Sequence, residues 1–216
     1  EEEMKNSCAV VFRDFYILAV GGKMFVLDGA KKSYFDGTPL CSFQYECYLW
    51  ENIPARILWT GGNHLYFGDE EGYVYRFFDD VKASASYMDD GKKVVCYFDT
   101  ADIDDRTFFK KKTYVSVSVK IGSFLNTGVK IYARTDGRFH EKPVYDSMGR
   151  GRFFDFSAVD FESVSFSSNV SEVTLCGKIR IRNTDSVSFR IMNDKAEPFS
   201  LYTFGTEYVQ KNNYIR

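Results

Sequence analysis

The stretch Tyr114-Val115-Ser116-Val117-Ser118-Val119-Lys120-Ile121 changes from apolar to polar at almost every step. Successive side chains of an extended chain point to opposite faces. Period two over eight residues therefore predicts a half-buried β-strand, with Val115, Val117, Val119 and Ile121 on the covered face and Ser116, Ser118 and Lys120 on the other. The pattern recurs downstream. Val129-Lys130-Ile131-Tyr132-Ala133-Arg134 repeats it, and Lys178-Ile179-Arg180-Ile181-Arg182 turns three basic residues outward. Val187, Phe189 and Ile191 alternate with Ser188, Arg190 and Met192, and residues 201–209 make a last strand. With 94–98 and 152–156 there are about seven short strands, and no segment shows the period of a long amphipathic helix. A helical turn is expected at 157–164, with Ser157 as its N-cap. The fold class that follows is all-β, and residues 94–216 read as an antiparallel β-sandwich of jelly-roll type.

Working outward toward the N-terminus, two stretches resemble each other. Ile17-Leu18-Ala19-Val20-Gly21-Gly22-Lys23-Met24-Phe25-Val26-Leu27-Asp28-Gly29 matches Ile57-Leu58-Trp59-Thr60-Gly61-Gly62-Asn63-His64-Leu65-Tyr66-Phe67-Gly68-Asp69, which continues to Gly72-Tyr73-Val74-Tyr75. Each reads strand, Gly-Gly, strand, acidic turn. A Gly-Gly pair supplies the positive φ angles of a tight hairpin. The pairs recur after 40 residues, close to the period of four-stranded propeller blades. Residues 1–80 are thus expected to form propeller-blade-like hairpins; two ordinary hairpins are the alternative. Two blades cannot close a ring of the usual size. The small and charged residues of 81–93 read as a linker.

Of 216 residues, 21 are Phe, 15 Tyr and 2 Trp, which excludes a disordered chain. Lys plus Arg number 28 against 30 Asp plus Glu, so total charge gives no drive toward nucleic acid or anionic membrane. With 2 His, a multi-histidine metal site is nearly excluded. The start EEEMKNSCAVVF is acidic, unlike a secretory signal, and the run Phe15–Val20 is far too short for a membrane span. Met4 without an initiator at position 1 reads as a fragment or processed chain. Cys8, Cys41, Cys47, Cys96 and Cys176 are odd in number and contain no CxxC, so reduced, buried thiols are expected. Asn169-Val170-Ser171 matches a glycosylation sequon too short to carry weight.

The chemistry is mostly a set of exclusions. His64 and His140 lie far apart with no nucleophile signature beside either, and read as solvent-facing turn residues. Asp99, Asp102, Asp104 and Asp105 form an acidic cluster. A hard cation wants several such oxygens, but the glycine and glutamate offsets of an EF-hand are missing, so a solvated loop is expected ahead of a bound ion or a glycosidase pair. Gly21-Gly22-Lys23 lacks the flanks of a phosphate loop. Met148-Gly149-Arg150-Gly151-Arg152-Phe153-Phe154 mixes Arg with aromatics, as single-strand binders do, but reads as a loop entering a strand. Lys178, Arg180, Arg182 and Arg190 are expected to make a basic face that protects an edge or meets an acidic subunit. Phe153, Phe189 and Phe204 are expected in the core, with most other aromatics. Tyr48, Trp50 and Trp59 lie outside the sandwich, which weakens a sugar-binding reading.

One resemblance covers about residues 95–210. It rests on Asp99-Thr100-Ala101-Asp102-Ile103, on Lys110-Lys111-Lys112-Thr113-Tyr114-Val115-Ser116-Val117, and on Val129-Lys130-Ile131-Tyr132-Ala133-Arg134-Thr135-Asp136-Gly137. Phe154-Asp155-Phe156-Ser157-Ala158-Val159-Asp160-Phe161 and Asn193-Asp194-Lys195-Ala196-Glu197-Pro198-Phe199-Ser200-Leu201-Tyr202 complete it. This order is similar to the C-terminal region of structural proteins from phages and prophages of Gram-positive bacteria, where propeller-like repeats precede a β-sandwich. The resemblance implies a non-enzymatic tail or neck protein of the virion, assembled in the bacterial host cytoplasm. Its expected partners are other virion subunits and its own copies in a ring-like homo-oligomer. It implies no catalytic, cofactor or metal residues, no nucleic-acid specificity and no membrane insertion. The alternative is a carbohydrate- or receptor-binding module at a tail tip that recognises a host-surface glycan. The scaffold residues expected to matter are Gly21, Gly22, Gly61 and Gly62 in the turns and residues 198–202, from Pro198 to Tyr202, docking the closing strand.

Overall fold

A computed structural model of the chain describes residues 2–33, 39, 44–78, 84–89, 91–104, 110–123, 128–135, 137–147, 172–196 and 199–214. Apart from helical turns at Glu2–Lys5 and Ser84–Tyr87, every described element is a strand, and every strand pairing is antiparallel. The expected strand at 152–156, the turn at 157–164, the basic–aromatic stretch 148–154 with Phe153, the sequon, Cys41, Asp105 and Pro198 lie outside the described residues. The chain divides into two compact units, Glu1–Asp80 and Val81–Arg216, at the composition change.

In the first unit, β1 (Cys8–Phe12), β2 (Phe15–Val20), β3 (Lys23–Ser33) and β4 (Gln44–Glu51) form a four-stranded meander in sequence order. β5 (Ile57–Gly61), β6 (His64–Gly68) and β7 (Val74–Arg76) form a second, three-stranded meander. The two pack face to face: Ile17, Ala19, Met24 and Val26 of the first share one core with Ala55, Leu58, Leu65 and Phe67.

The Gly-Gly repeat is real at the level of turns but not of position in the two sheets. Gly21 and Gly22 both have positive φ (57° and 77°) and form the two-residue loop between Val20 and its partner Lys23. In the second pair only Gly62 has positive φ, and the loop is Gly62–Asn63, because Gly61 is the last strand residue and pairs with His64. Arg13, with φ 54°, opens the matching loop between β1 and β2, and its Nη2 donates to the Asn63 carbonyl at 3.4 Å. The Gly22 carbonyl instead accepts from Ile53 N at 3.0 Å, where the chain approaches β5. The two glycine turns therefore sit at opposite ends of the stack. The structural counterpart of β5–β6 is β1–β2, and the 40-residue spacing equates strands that occupy different places.

The second unit begins where a linker was expected. There Ser84–Tyr87 leads into a small hairpin of β8 (Met88–Asp89) and β9 (Lys92–Lys93). Eight further strands follow: β10 (Cys96–Asp99), β11 (Lys110–Ser123), β12 (Lys130–Thr135), β13 (Arg138–Phe139), β14 (Tyr145–Asp146), β15 (Val173–Thr184), β16 (Ser188–Asn193) and β17 (Phe199–Tyr214). One sheet has the order β10-β16-β12-β13, with β14 also on β12; the other is β15-β11-β17. The chain changes sheet between β10, β11 and β12, and again between β14, β15, β16 and β17, the alternation of a jelly-roll sandwich. Tyr114, Val117, Val119, Ile121, Ile179 and Ile181 face Val129, Ile131, Ala133, Val187, Phe189 and Ile191 in a single core. Phe189 bridges the sheets, with its ring 6.1 Å from Tyr114 and 5.1 Å from Phe204.

The deciding stretch contains a correction. The ladder with β17 steps from Tyr114↔Tyr208 to Ser116↔Glu207, which makes Val115 the extra residue of a β-bulge. The inward phase moves across it: Lys112 and Tyr114 before, Val117, Val119 and Ile121 after. Val115 leaves the covered face, and Lys112 is wholly buried. The aromatics also depart from expectation. Tyr114, Phe189, Phe67 and Tyr145 are buried, but Tyr16, Phe25, Tyr45, Tyr48, Trp50, Tyr97 and Tyr202 are among those exposed.

Gly177 occupies an inward position opposite Val117, and the Tyr145 ring from the facing sheet stands where its Cβ would go. Gly177→Ala is expected to cost about 1–3 kcal/mol by overpacking. The loss should shrink when the same change is made in a Tyr145→Ala background; equal losses in both backgrounds in urea titrations would refute the contact.

Candidate functional site

The outer face of the β10-β16-β12 sheet carries a set of paired charges. Register places Arg190 of β16 between Asp99 of β10 and Tyr132 of β12. Its Nε and Nη2 donate to the two Asp99 carboxylate oxygens, each at 2.7 Å. The same guanidinium lies 4.2 Å from the Tyr97 ring centroid and 4.5 Å from that of Phe139. A planar cation can make paired hydrogen bonds at its edge and ring contacts on its faces, which an ammonium cannot. Arg134 donates to Asp102 at 3.1 Å and lies 5.6 Å from Phe139. Lys130 reaches Asp194 at 2.6 Å. That hydrogen bond raises the Lys130 ammonium above its ordinary range and holds the Asp194 carboxyl below its own.

Two carboxylates of the expected acidic cluster are thus paired. Asp99 and Asp102 are each matched to an arginine on a neighbouring strand, and the Asp104 carbonyl accepts from Lys112 Nζ at 2.6 Å. Among the described residues no group of three or more His, Cys, Asp or Glu is placed to share a metal ion. His140 is exposed, with Nε2 3.0 Å from Thr135 Oγ1; His64 is partly buried at the start of β6, edge-on to Tyr66 at 6.4 Å. The structure leaves the two histidines in separate units.

Lys178, Arg180 and Arg182 are exposed along β15, an edge strand of the described sheet. Arg190 does not join them, because β16 belongs to the opposite sheet. Cys8 is half-buried while Cys47, Cys96 and Cys176 are exposed, and all four are free thiols. The expectation of buried thiols fails because strand alternation turns Cys176 outward beside Lys178. Residues 199–202 dock on β11 as expected: Leu201 pairs with Ile121, and the Tyr202 ring covers Gly122 from outside. Lys23 beside the Gly21–Gly22 turn pairs with Glu51 at 4.0 Å.

Lys112 escaped sequence reasoning altogether. Its ammonium also donates to the Asp185 carbonyl at 2.8 Å, tying the 100–104 segment and the turn after β15 to the central strand. A buried lysine is tolerated when backbone carbonyls replace its water. Its only sequence signal is a third lysine at a position that the bulge turns inward.

In the first unit the notable surfaces are apolar. The face of the four-stranded sheet turned away from the core carries Val11 (66% exposed), Tyr16 (46%), Phe25 (38%) and Leu49 (45%), with Leu18 and Leu27 between them. Among the described side chains of this face, Lys23 and Glu51 are charged and paired at the rim. The far face of the three-stranded sheet carries Ile57, Val74 and the stacked rings of Trp59 and Tyr66, 5.6 Å apart, together with the exposed cation Arg76 opposite Tyr66. β4 is exposed along its whole length, including Tyr48 and Trp50. Tyr48 donates to Glu46 at 2.7 Å, and this bond pushes its phenol up.

No protein-family model matches the chain, and a search of curated proteins finds no match. No described helix is long and apolar enough to cross a membrane.

Lys112→Met should leave the Asp104 and Asp185 carbonyls without their donor and cost about 2–4 kcal/mol. Lys111→Met on the other face should stay within about 0.5 kcal/mol. Urea midpoints of the two variants test this, and equal midpoints would count against the anchor. The Lys130–Asp194 pair contributes fully at neutral pH. Because the Asp194 carboxyl is depressed in the folded state, that contribution falls away as pH drops below about 4, the ordinary carboxylate value. Asp194→Asn should therefore lower the melting temperature at pH 7 and converge with the unmodified protein in strong acid; a constant difference across pH would sink the assignment.

Proposed function

We propose that the chain is a non-enzymatic structural protein of a bacteriophage virion, in the tail or neck, acting through subunit–subunit assembly. The observation that carries this reading is the pair of open apolar faces on the ordered sheets of residues 1–80. Patches of this kind on regular strands mark contact surfaces. The resemblance of the sequence order over residues 95–210 to phage tail and neck proteins is consistent with it, as is the matching of Asp99 and Asp102 with arginines, which occupies carboxylates a hydrolase would use. The exposed row Lys178, Arg180 and Arg182 suits an acidic neighbouring subunit. In this reading the protein is made in the host cytoplasm and resides in the particle, with other virion subunits and its own copies as partners.

The glycan-binding alternative is less well supported, because Arg190 lies against both the Tyr97 and Phe139 rings on the sandwich face. Mass spectrometry of gradient-purified virions tests the proposal. The protein should be present in stoichiometric amounts beside the tail and portal proteins, and its absence from intact particles would overturn the reading. Selective retention on a glycan array by the soluble protein would favour the alternative.

A further inference from the structure

We infer that the outward row Lys178, Arg180 and Arg182 of β15 binds an extended acidic segment of a neighbouring protein, one with Asp or Glu at alternate positions. The inference rests on the assembly reading and names the chemistry of the partner at one surface. All three side chains are exposed, and they alternate with Ile179 and Ile181, which face the core. Elsewhere in the sandwich, exposed cations are matched within the chain. Lys130, Arg134 and Arg190 on the opposite sheet each hold an aspartate, and Lys120 of β11 holds Glu172. Among the described residues, no carboxylate pairs with Lys178, Arg180 or Arg182. Keeping this face in water does not require such a row. On the adjacent strand β11 the outward positions opposite Lys178 and Cys176 are Ser116 and Ser118, polar but uncharged. Like charges two residues apart on a strand lie within a Debye length and repel one another. A row that works against its own fold and has no partner in the chain points to one outside it.

The spacing selects the partner. Outward side chains of a strand repeat every two residues, about 6.7 Å. An extended peptide presents its own alternate side chains with the same repeat, so three carboxylates can meet three cations with neither chain adjusting. Each arginine can add paired hydrogen bonds to its carboxylate. The acids near this face are occupied elsewhere. Glu172 is held by Lys120, Asp185 Oδ1 accepts from Ser186 N at 3.0 Å, and Glu207, on the third strand, accepts from Ser116 Oγ at 2.6 Å. A single-stranded nucleic acid would also want rings on which to stack its bases. The described outward residues next to the row are Thr174, Cys176, Ser116 and Ser118, and none is aromatic.

Fluorescence anisotropy of labelled peptides on the full chain, at low ionic strength, tests this. One peptide has the twelve-residue length of β15 and alternates Glu with Thr. The other has the same composition in the repeating order Glu-Glu-Thr-Thr, so that no two glutamates stand two residues apart. The alternating peptide should bind about tenfold more tightly. Lys178→Gln, Arg180→Gln and Arg182→Gln together should remove that preference. Lys92→Gln with Lys93→Gln, exposed lysines of the β8–β9 hairpin, should leave it intact. Circular dichroism checks the fold of each variant; if the triple variant misfolds, Arg180→Gln alone should reduce the preference. Absence of binding, equal affinity for the two peptides, or a preference that survives loss of the row overturns the inference. So does tighter binding of a thymidine oligonucleotide of the same length, which would assign the row to nucleic acid. Aggregation of the triple variant of a protein that prefers neither peptide would leave the row with edge protection alone and would overturn it too. None of these results bears on whether the protein is found in virions.

Discussion

The sandwich depends on one strand. β11 is fourteen residues long and paired along both edges, so β15 and β17 take their registers from it. A strand in that position has to satisfy two ladders and one core at once. The bulge at Val115 allows this by exchanging the inward set from Lys112 and Tyr114 to Val117, Val119 and Ile121. Everything that meets the facing sheet is placed by this exchange. Tyr114 reaches Phe189 because the even positions point inward before it, and Gly177 lies opposite Val117 because the odd positions do so after it.

Much of this was legible in the sequence, for physical reasons that can be named. The alternations at Lys130–Thr135, Val173–Thr184 and Ser188–Asn193 reflect the two-residue period of extended chain, and each is a strand with the expected side inward. The all-β class, the boundary near residue 80 and the hairpin glycines follow from the same local rules. What was hidden is non-local. A bulge adds a residue without disturbing the Val-Ser alternation, so neither the outward turn of Val115 nor the burial of Lys112 leaves a trace in the pattern. Positions within the two sheets are likewise set by neighbours: Gly21–Gly22 and Gly62–Asn63 are both hairpin loops, but only the presence of β1 decides which end each occupies. The pairing of Asp99 with Arg190 joins residues 91 apart, and adjacency among the aspartates concealed it.

The two units handle their surfaces in contrasting ways. The β10-β16-β12 sheet of the sandwich pairs charges on its outer face: Arg190 to Asp99, Arg134 to Asp102 and Lys130 to Asp194, with Tyr97 and Phe139 against the guanidinium of Arg190. Partly exposed pairs of this kind add little stability each, but they favour one register, because a slipped strand would bring like charges together. The first unit leaves large apolar side chains in the open on strands that are well formed. Among the described aromatics, Tyr114, Tyr145 and Phe189 are buried in the sandwich and Phe67 on the inner face of the first unit, while many others are exposed.

The fit of the Tyr145 ring into the place of a Gly177 side chain has a mechanical meaning. Two smooth sheets in face contact can slide along their strands with little change in buried area. A ring seated in a notch of the opposite sheet blocks that sliding in both directions, as a pin blocks a joint. Under a load along the strands, the layers of this sandwich would have to lift apart before they could slip, and lifting exposes the whole core at once.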